Sequence, residues 1–78
     1  MTDVKALREQ LGITRAKFAD AMGVSPALIQ SWELGRRIPN EQYQIMLELL
    51  KHKPGMLEVM LRISADIENR TLEPNLTS

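Results

Sequence analysis

Glycine and proline recur at short intervals along this chain, at Gly12, Gly23, Pro26, Gly35, Pro39, Pro54 and Gly55. That punctuation limits the length of every regular element. Glycine is conformationally loose, and proline lacks the N–H that a helix or strand interior needs. Between the breaks, apolar residues recur at three- and four-residue spacing and do not alternate. No β-branched alternating run is present, and aromatic residues make up only 4% of the chain, which leaves little to build a sheet. The pattern predicts an all-α fold of five helices.

The first helix is expected from about Asp3 to Leu11, with Val4, Leu7 and Leu11 on one face and Gly12 as its stop. A second should follow Thr14 as N-cap and run to Met22, with Phe18, Ala19 and Met22 inward and Gly23 breaking it. The third has the strongest start signal in the chain, Ser25 as N-cap with Pro26 at the first helical position. It carries Leu28, Ile29 and Trp32 and should end at Gly35. The fourth should start after Asn40, with Glu41 complementing the helix dipole. Its apolar set is Tyr43, Ile45, Met46, Leu47, Leu49 and Leu50. The fifth is expected from near Pro54 to about Ile67, with Lys53 a poor cap. From Met56 to Ile63 it is apolar almost all round, which predicts burial on more than one side. The expected organisation is a single domain over residues 1–69, with a flexible tail over residues 70–78 that lacks periodicity.

The chain has 78 residues, enough for one small domain with a modest core. It has no cysteine, so neither a disulfide nor a thiolate metal site can staple it. Charged residues within the first ten positions argue against a secretion signal, and no apolar run approaches the roughly 20 residues that span a bilayer. A cytoplasmic protein is the expectation. Net charge is zero, but its distribution is uneven. Residues 1–40 carry six cations and four anions, and residues 41–78 carry four cations and six anions. The positive end lies in the half that holds the candidate motif.

That motif spans Arg15 to Gly35. Two short helices joined by a tight glycine turn make a helix-turn-helix unit, and the unit has several requirements. Ala19 is small where the second helix crosses the first. Gly23 tolerates a positive φ in the turn. Val24, Ile29 and Trp32 are apolar and hold the second helix to the core. The positions between them, Leu28 apart, are polar or small and face outward. Each match alone is weak; their joint occurrence is specific. The function implied is double-stranded DNA binding.

The stretch from Leu7 to Pro39, LREQLGITRAKFADAMGVSPALIQSWELGRRIP, resembles the Xre-type helix-turn-helix family of phage repressors, Cro proteins and many antitoxins. The most telling piece is Ser31-Trp32-Glu33-Leu34-Gly35-Arg36-Arg37-Ile38-Pro39, similar to a slightly shifted form of the family's Ser-x-Trp-Glu-x-Gly-x-Arg-x-Pro signature. The Lys53-Pro54-Gly55-Met56-Leu57 region looks like antitoxins of the host-inhibition-of-growth type. The resemblance covers about the first 60 residues and implies a five-helix lambda-repressor-like fold. It also implies a pairing of Arg8 with Glu33, with the remaining Arg8 N–H groups offered to a phosphate. Phosphate contacts map by resemblance onto Thr14, Arg15, Arg36 and Arg37. Base-edge contacts map onto Pro26, Ala27, Gln30 and Ser31, and the Ser25 cap is counted with them among the expected DNA-binding residues. Pro26 and Ala27 can touch a thymine methyl but cannot hydrogen-bond a base, so Gln30 is the one long polar reader on that face. Modest direct readout, with backbone positioning and shape readout, is the expectation.

Trp32 could stack on a ligand, but its spacing from Leu28 and Ile29 favours core packing. Met22 and Met46 read as core filler. His52 stands alone, without a second His or a Cys to complete a metal or catalytic site. No nucleophile–base pair, metal-ligand spacing or phosphate-cradling glycine loop is present, so neither an enzyme nor a cofactor is expected. One recognition helix offers few base contacts, and a two-fold dimer doubles them. Helix five supplies the candidate dimer surface, at Met56, Val59, Met60, Ile63 and Ile67. The alternative is an antitoxin that neutralises a toxin partner. Almost nothing precedes helix one, so the toxin would be held by the folded body or by helix five.

Overall fold

Four of the five helices begin on a side-chain oxygen that accepts an otherwise unpartnered backbone N–H. The structure, a computed structural model, describes the backbone of residues 2–72 and the side chains of residues 2–68. Helix α1 is Val4–Leu11, α2 is Arg15–Met22, α3 is Pro26–Glu33, α4 is Glu41–His52 and α5 is Met56–Leu72. Asp3 accepts from the Ala6 N–H at 3.0 Å and Thr14 from the Lys17 N–H at 3.1 Å. Ser25 accepts from the Leu28 N–H at 3.1 Å and Asn40 from the Tyr43 N–H at 3.0 Å. Each such cap contributes about 1 kcal/mol and sets where the helix starts. The α4 start is further tied by Gln44, whose side-chain amide donates to the Pro39 carbonyl at 2.7 Å.

The turns follow the same local chemistry. Gly23 takes φ 71° at the end of α2, a left-handed conformation, and its N–H donates back to the Ala19 and Asp20 carbonyls. A Cβ there would meet nothing within 4 Å, so glycine is favoured by backbone conformation and not by space. Helix α3 ends at Glu33, and the expected stop at Gly35 is the left-handed residue just beyond it, at φ 74°. Helix α5 starts later than expected. Pro54 and Gly55 form a lead-in turn, in which the Met56 N–H donates to the Lys53 carbonyl and the Leu57 N–H to that of Pro54. The helix then runs five residues past Ile67 to Leu72, so residues 70–72 of the expected tail continue it. The rest of that tail, residues 73–78, lies outside the described residues.

The core gathers around α2, which packs against both α3 and α5. Phe18, Ile29, Leu47 and Leu50 are fully buried, with Val4, Leu7, Ala19, Met22 and Trp32 around them. Trp32 packs on Tyr43 with ring centroids 5.2 Å apart, so it is a core residue, as its spacing predicts. Among the described residues there is no strand.

Burial divides the apolar residues of α4 and of α5, and it corrects one expected dimer-surface residue, Met60. On α4, Ile45 and Leu49 lie on the outer side, because Leu47 and Leu50 occupy the single stripe that α4 turns to the core. On α5, burial within the chain is confined to one side. Met60 sinks into the chain's own core, 9% exposed, and so leaves the expected dimer surface. Met56 is half-buried against the same core. Val59, Ile63 and Ile67 remain 41%, 55% and 55% exposed. The helical period explains the split. Met60 aligns with Leu57 and Leu61, whereas Val59, Ile63 and Ile67 form a neighbouring i, i+4, i+8 row.

Candidate nucleic-acid interface

Helix α3 displays one outward face. Pro26, Ala27 and Gln30 are exposed on it and Ser31 is half-buried, while Ile29 and Trp32 point the opposite way into the core. The 26–30 and 27–31 pairs are each one turn apart, so the four expected base-facing positions form one patch. Ser25 supports the patch from below as N-cap. Thr14 is occupied by capping α2, with its hydroxyl accepting from Lys17. The Arg15 and Ala16 N–H groups and the positive dipole end of α2 remain available to an anion.

At the other end of α3, three elements meet on one carboxylate. Arg8 from α1 donates from Nε to Glu33 Oε2 at 2.6 Å, and from Nη2 to Oε1 at 3.4 Å. Its Nη1 donates to the Ile13 carbonyl at 3.1 Å. Arg15 from α2 donates from Nε to Glu33 Oε1 at 3.0 Å. The Glu33 side chain is 1% exposed and that of Arg8 is 15% exposed. Burial alone would push the Glu33 carboxyl up. Hydrogen bonds from Arg8 and then Arg15, with their charges, outweigh it and hold the carboxyl below its ordinary value. The hydrogen bond to Glu33 holds the Arg8 guanidinium above its own.

The resemblance implies the Arg8–Glu33 pair, and the structure contains it. Three of the five Arg8 N–H groups are spent on Glu33 and Ile13, which leaves one on each terminal nitrogen. Sequence reasoning missed the Arg15–Glu33 contact. A signal for it was present: Glu33 ends a helix, where the dipole disfavours an anion, so a buried carboxylate there needs more than one cation. Arg15 is still 43% exposed and keeps its terminal nitrogens beyond the Nε bond. The cluster as a whole retains one positive charge.

Arg36 and Arg37 follow α3 and are exposed. Their backbone N–H groups both donate to the Ser31 carbonyl, at 2.9 and 3.3 Å, which fixes the loop that carries them. Neither side chain has an ion-pair partner among the described residues. Among those residues there is also no group of three His, Asp or Glu side chains able to hold a metal ion, and no helix long and apolar enough to cross a membrane.

Comparison with known proteins agrees with this geometry. A helix-turn-helix family model matches residues 4–50, which takes in α1 to α4 almost entirely. Antitoxin HigA-2 of Vibrio cholerae serotype O1 (strain ATCC 39315 / El Tor Inaba N16961) is 33% identical over 55 residues, 70% of this chain. The matched region is 53% of that relative, so the chain spans about half the length of the curated protein it resembles. No solved structure matches the chain. With the capped α2–turn–α3 unit, the Arg8–Glu33 tie and a family match across most of the folded body, this chain belongs to the Xre-type helix-turn-helix family.

Proposed function

We propose that this chain is a sequence-specific DNA-binding transcriptional regulator, a repressor, acting as a homodimer on a palindromic operator in the cytoplasm and carrying out no catalysis. The observation that carries the reading is the outward patch of Pro26, Ala27, Gln30 and Ser31 on a helix clamped at both ends, by Ser25 and by the Glu33 cluster. A rigid helix with a polar, unobstructed face suits a major groove. Arg15, Arg36 and Arg37 position the backbone, and Gln30 reads a base edge.

Two substitutions separate positioning from reading. Arg15→Ala should weaken operator and random DNA about equally. Gln30→Ala should narrow the gap between them by about 1–3 kcal/mol, if the amide is bidentate to adenine. Titrations on the chain's own promoter DNA and on scrambled DNA measure both. An unchanged gap in Gln30→Ala would transfer the reading to Ser31 or to DNA shape.

The dimer is proposed to form through the exposed row Val59, Ile63 and Ile67 of α5. Leaving such side chains in water costs about 1.5–3 kcal/mol each relative to burial. A two-fold contact there would place two recognition helices in successive major grooves about 34 Å apart. Val59→Glu with Ile63→Glu should give a folded, helical monomer with much weaker operator binding. Sedimentation and circular dichroism read the two properties separately. A double variant that stays dimeric would place the interface elsewhere.

The relative's name favours a second reading, that of an antitoxin that holds a toxin and regulates its own operon. Co-purification with the protein encoded beside it would distinguish this from a dedicated repressor.

A further inference from the structure

The leading turn of α3 presents apolar side chains outward, at the end of the helix that would reach base edges first. Pro26 and Ala27 are both exposed there, Pro26 has no backbone N–H, and neither side chain carries a polar atom. The one hydroxyl beside them, that of Ser25, already accepts the Leu28 N–H as the helix cap. Leu28 is half-buried against the core. Gln30, a turn further on, is the first exposed side chain able to hydrogen-bond in two directions.

An apolar pair at this place is selective on DNA. Hydrogen-bonding groups of a base edge pressed against it lose water and gain no partner. In the major groove guanine presents two acceptors, cytosine an amino donor and adenine one of each. Thymine adds a C5 methyl to its single acceptor. That methyl is the one apolar group that the major-groove edges of the four bases offer.

We infer that Pro26 and Ala27 read the C5 methyl group itself, so that the operator half-site sets a methylated pyrimidine, thymine or 5-methylcytosine, against this turn. The inference rests on the DNA-binding reading and names what that site selects. Residues one turn apart on a helix lie about 5–6 Å from each other, and successive bases about 3.4 Å, so the methyl belongs one or two base pairs from the base that Gln30 reads. Each methyl contact is worth about fourfold in affinity, and one in each half of a two-fold operator about 15-fold. Random DNA is held through its phosphates and should be indifferent to the methyl.

The test compares the chain's promoter DNA made with thymine and the same DNA made with uracil throughout, each beside scrambled DNA of the same kind. Uracil keeps every hydrogen-bonding group of thymine and lacks only the methyl. The promoter should lose about 15-fold or more in affinity on the change to uracil, and scrambled DNA less than about twofold. Ala27→Gly and, separately, Pro26→Ser should each shrink that loss and leave the salt dependence of binding as in the parent. At the thymine that carries the loss, a C·G pair should bind about fourfold more weakly than a 5-methylcytosine·G pair. Thymine-containing promoter DNA that binds no better than scrambled DNA would remove the DNA-binding reading, and this inference with it. Specific binding that uracil leaves unchanged would keep that reading and overturn the inference. So would a uracil loss that both variants retain in full, because the loss would then belong to DNA shape.

Discussion

Arg8→Met should destabilise the domain by about 1–3 kcal/mol near neutral pH, the cost of removing one charge-assisted donor from a buried carboxylate that keeps a second. Methionine keeps much of the side-chain length, so the principal change is electrostatic. Glu33, 1% exposed, would keep only the Arg15 bond, from a side chain that is 43% exposed. The Ile13 carbonyl would also lose its side-chain donor. For a domain of this size, each kcal/mol moves the melting temperature by roughly 4–8 °C, so the shift should be easy to read by calorimetry. The pH dependence makes the result specific. The folded-state Glu33 carboxyl lies below its ordinary value, so its contribution is fully present above the unfolded value of about 4.3 and is lost as pH falls through the folded one. Parent and variant should therefore differ most above about pH 4.3 and converge in acid, where Glu33 is protonated in both. A difference that persists unchanged in acid would mean that Arg8 acts through packing and not through Glu33.

Raising salt from about 50 to 200 mM should weaken operator binding by roughly 10³–10⁴-fold. Each protomer would bring Arg36, Arg37 and the single net charge of the Arg8–Glu33–Arg15 cluster to the phosphates. Two protomers then displace about six counterions, and the slope of log K against log salt should be roughly −5 to −7. Substituting Arg36 and Arg37 together by Gln should bring that slope about four units toward zero. Fluorescence anisotropy on the chain's promoter DNA across a salt series gives the slope directly. A slope near zero in the parent chain would remove DNA binding as the function. A parent slope retained by the Arg36/Arg37 variant would remove those two residues from the contact.

Helix starts, turns and fold class were legible in the chain because they are local events. Asp3, Thr14, Ser25 and Asn40 each cap an N–H three residues on, and Gly12 and Gly23 end helices by conformations available to glycine alone at little cost. The spacing within Arg15 to Gly35 likewise specified the motif, since one helix must show an apolar side inward and a polar side outward. Tertiary packing decided the rest. Helix α5 has two adjacent apolar rows, and periodicity alone does not say which one meets α2; packing put Met60 inside and left Val59, Ile63 and Ile67 outside. Ile45 and Leu49 are as apolar as Leu47 and Leu50, yet only one stripe of α4 reaches the core. Arg15 and Glu33 are 18 residues apart, and their bond exists because the end of α3 comes to rest beside the start of α2. Caps depend on a few neighbouring dihedral angles, whereas these contacts depend on the crossing of whole helices, which no short stretch of sequence specifies.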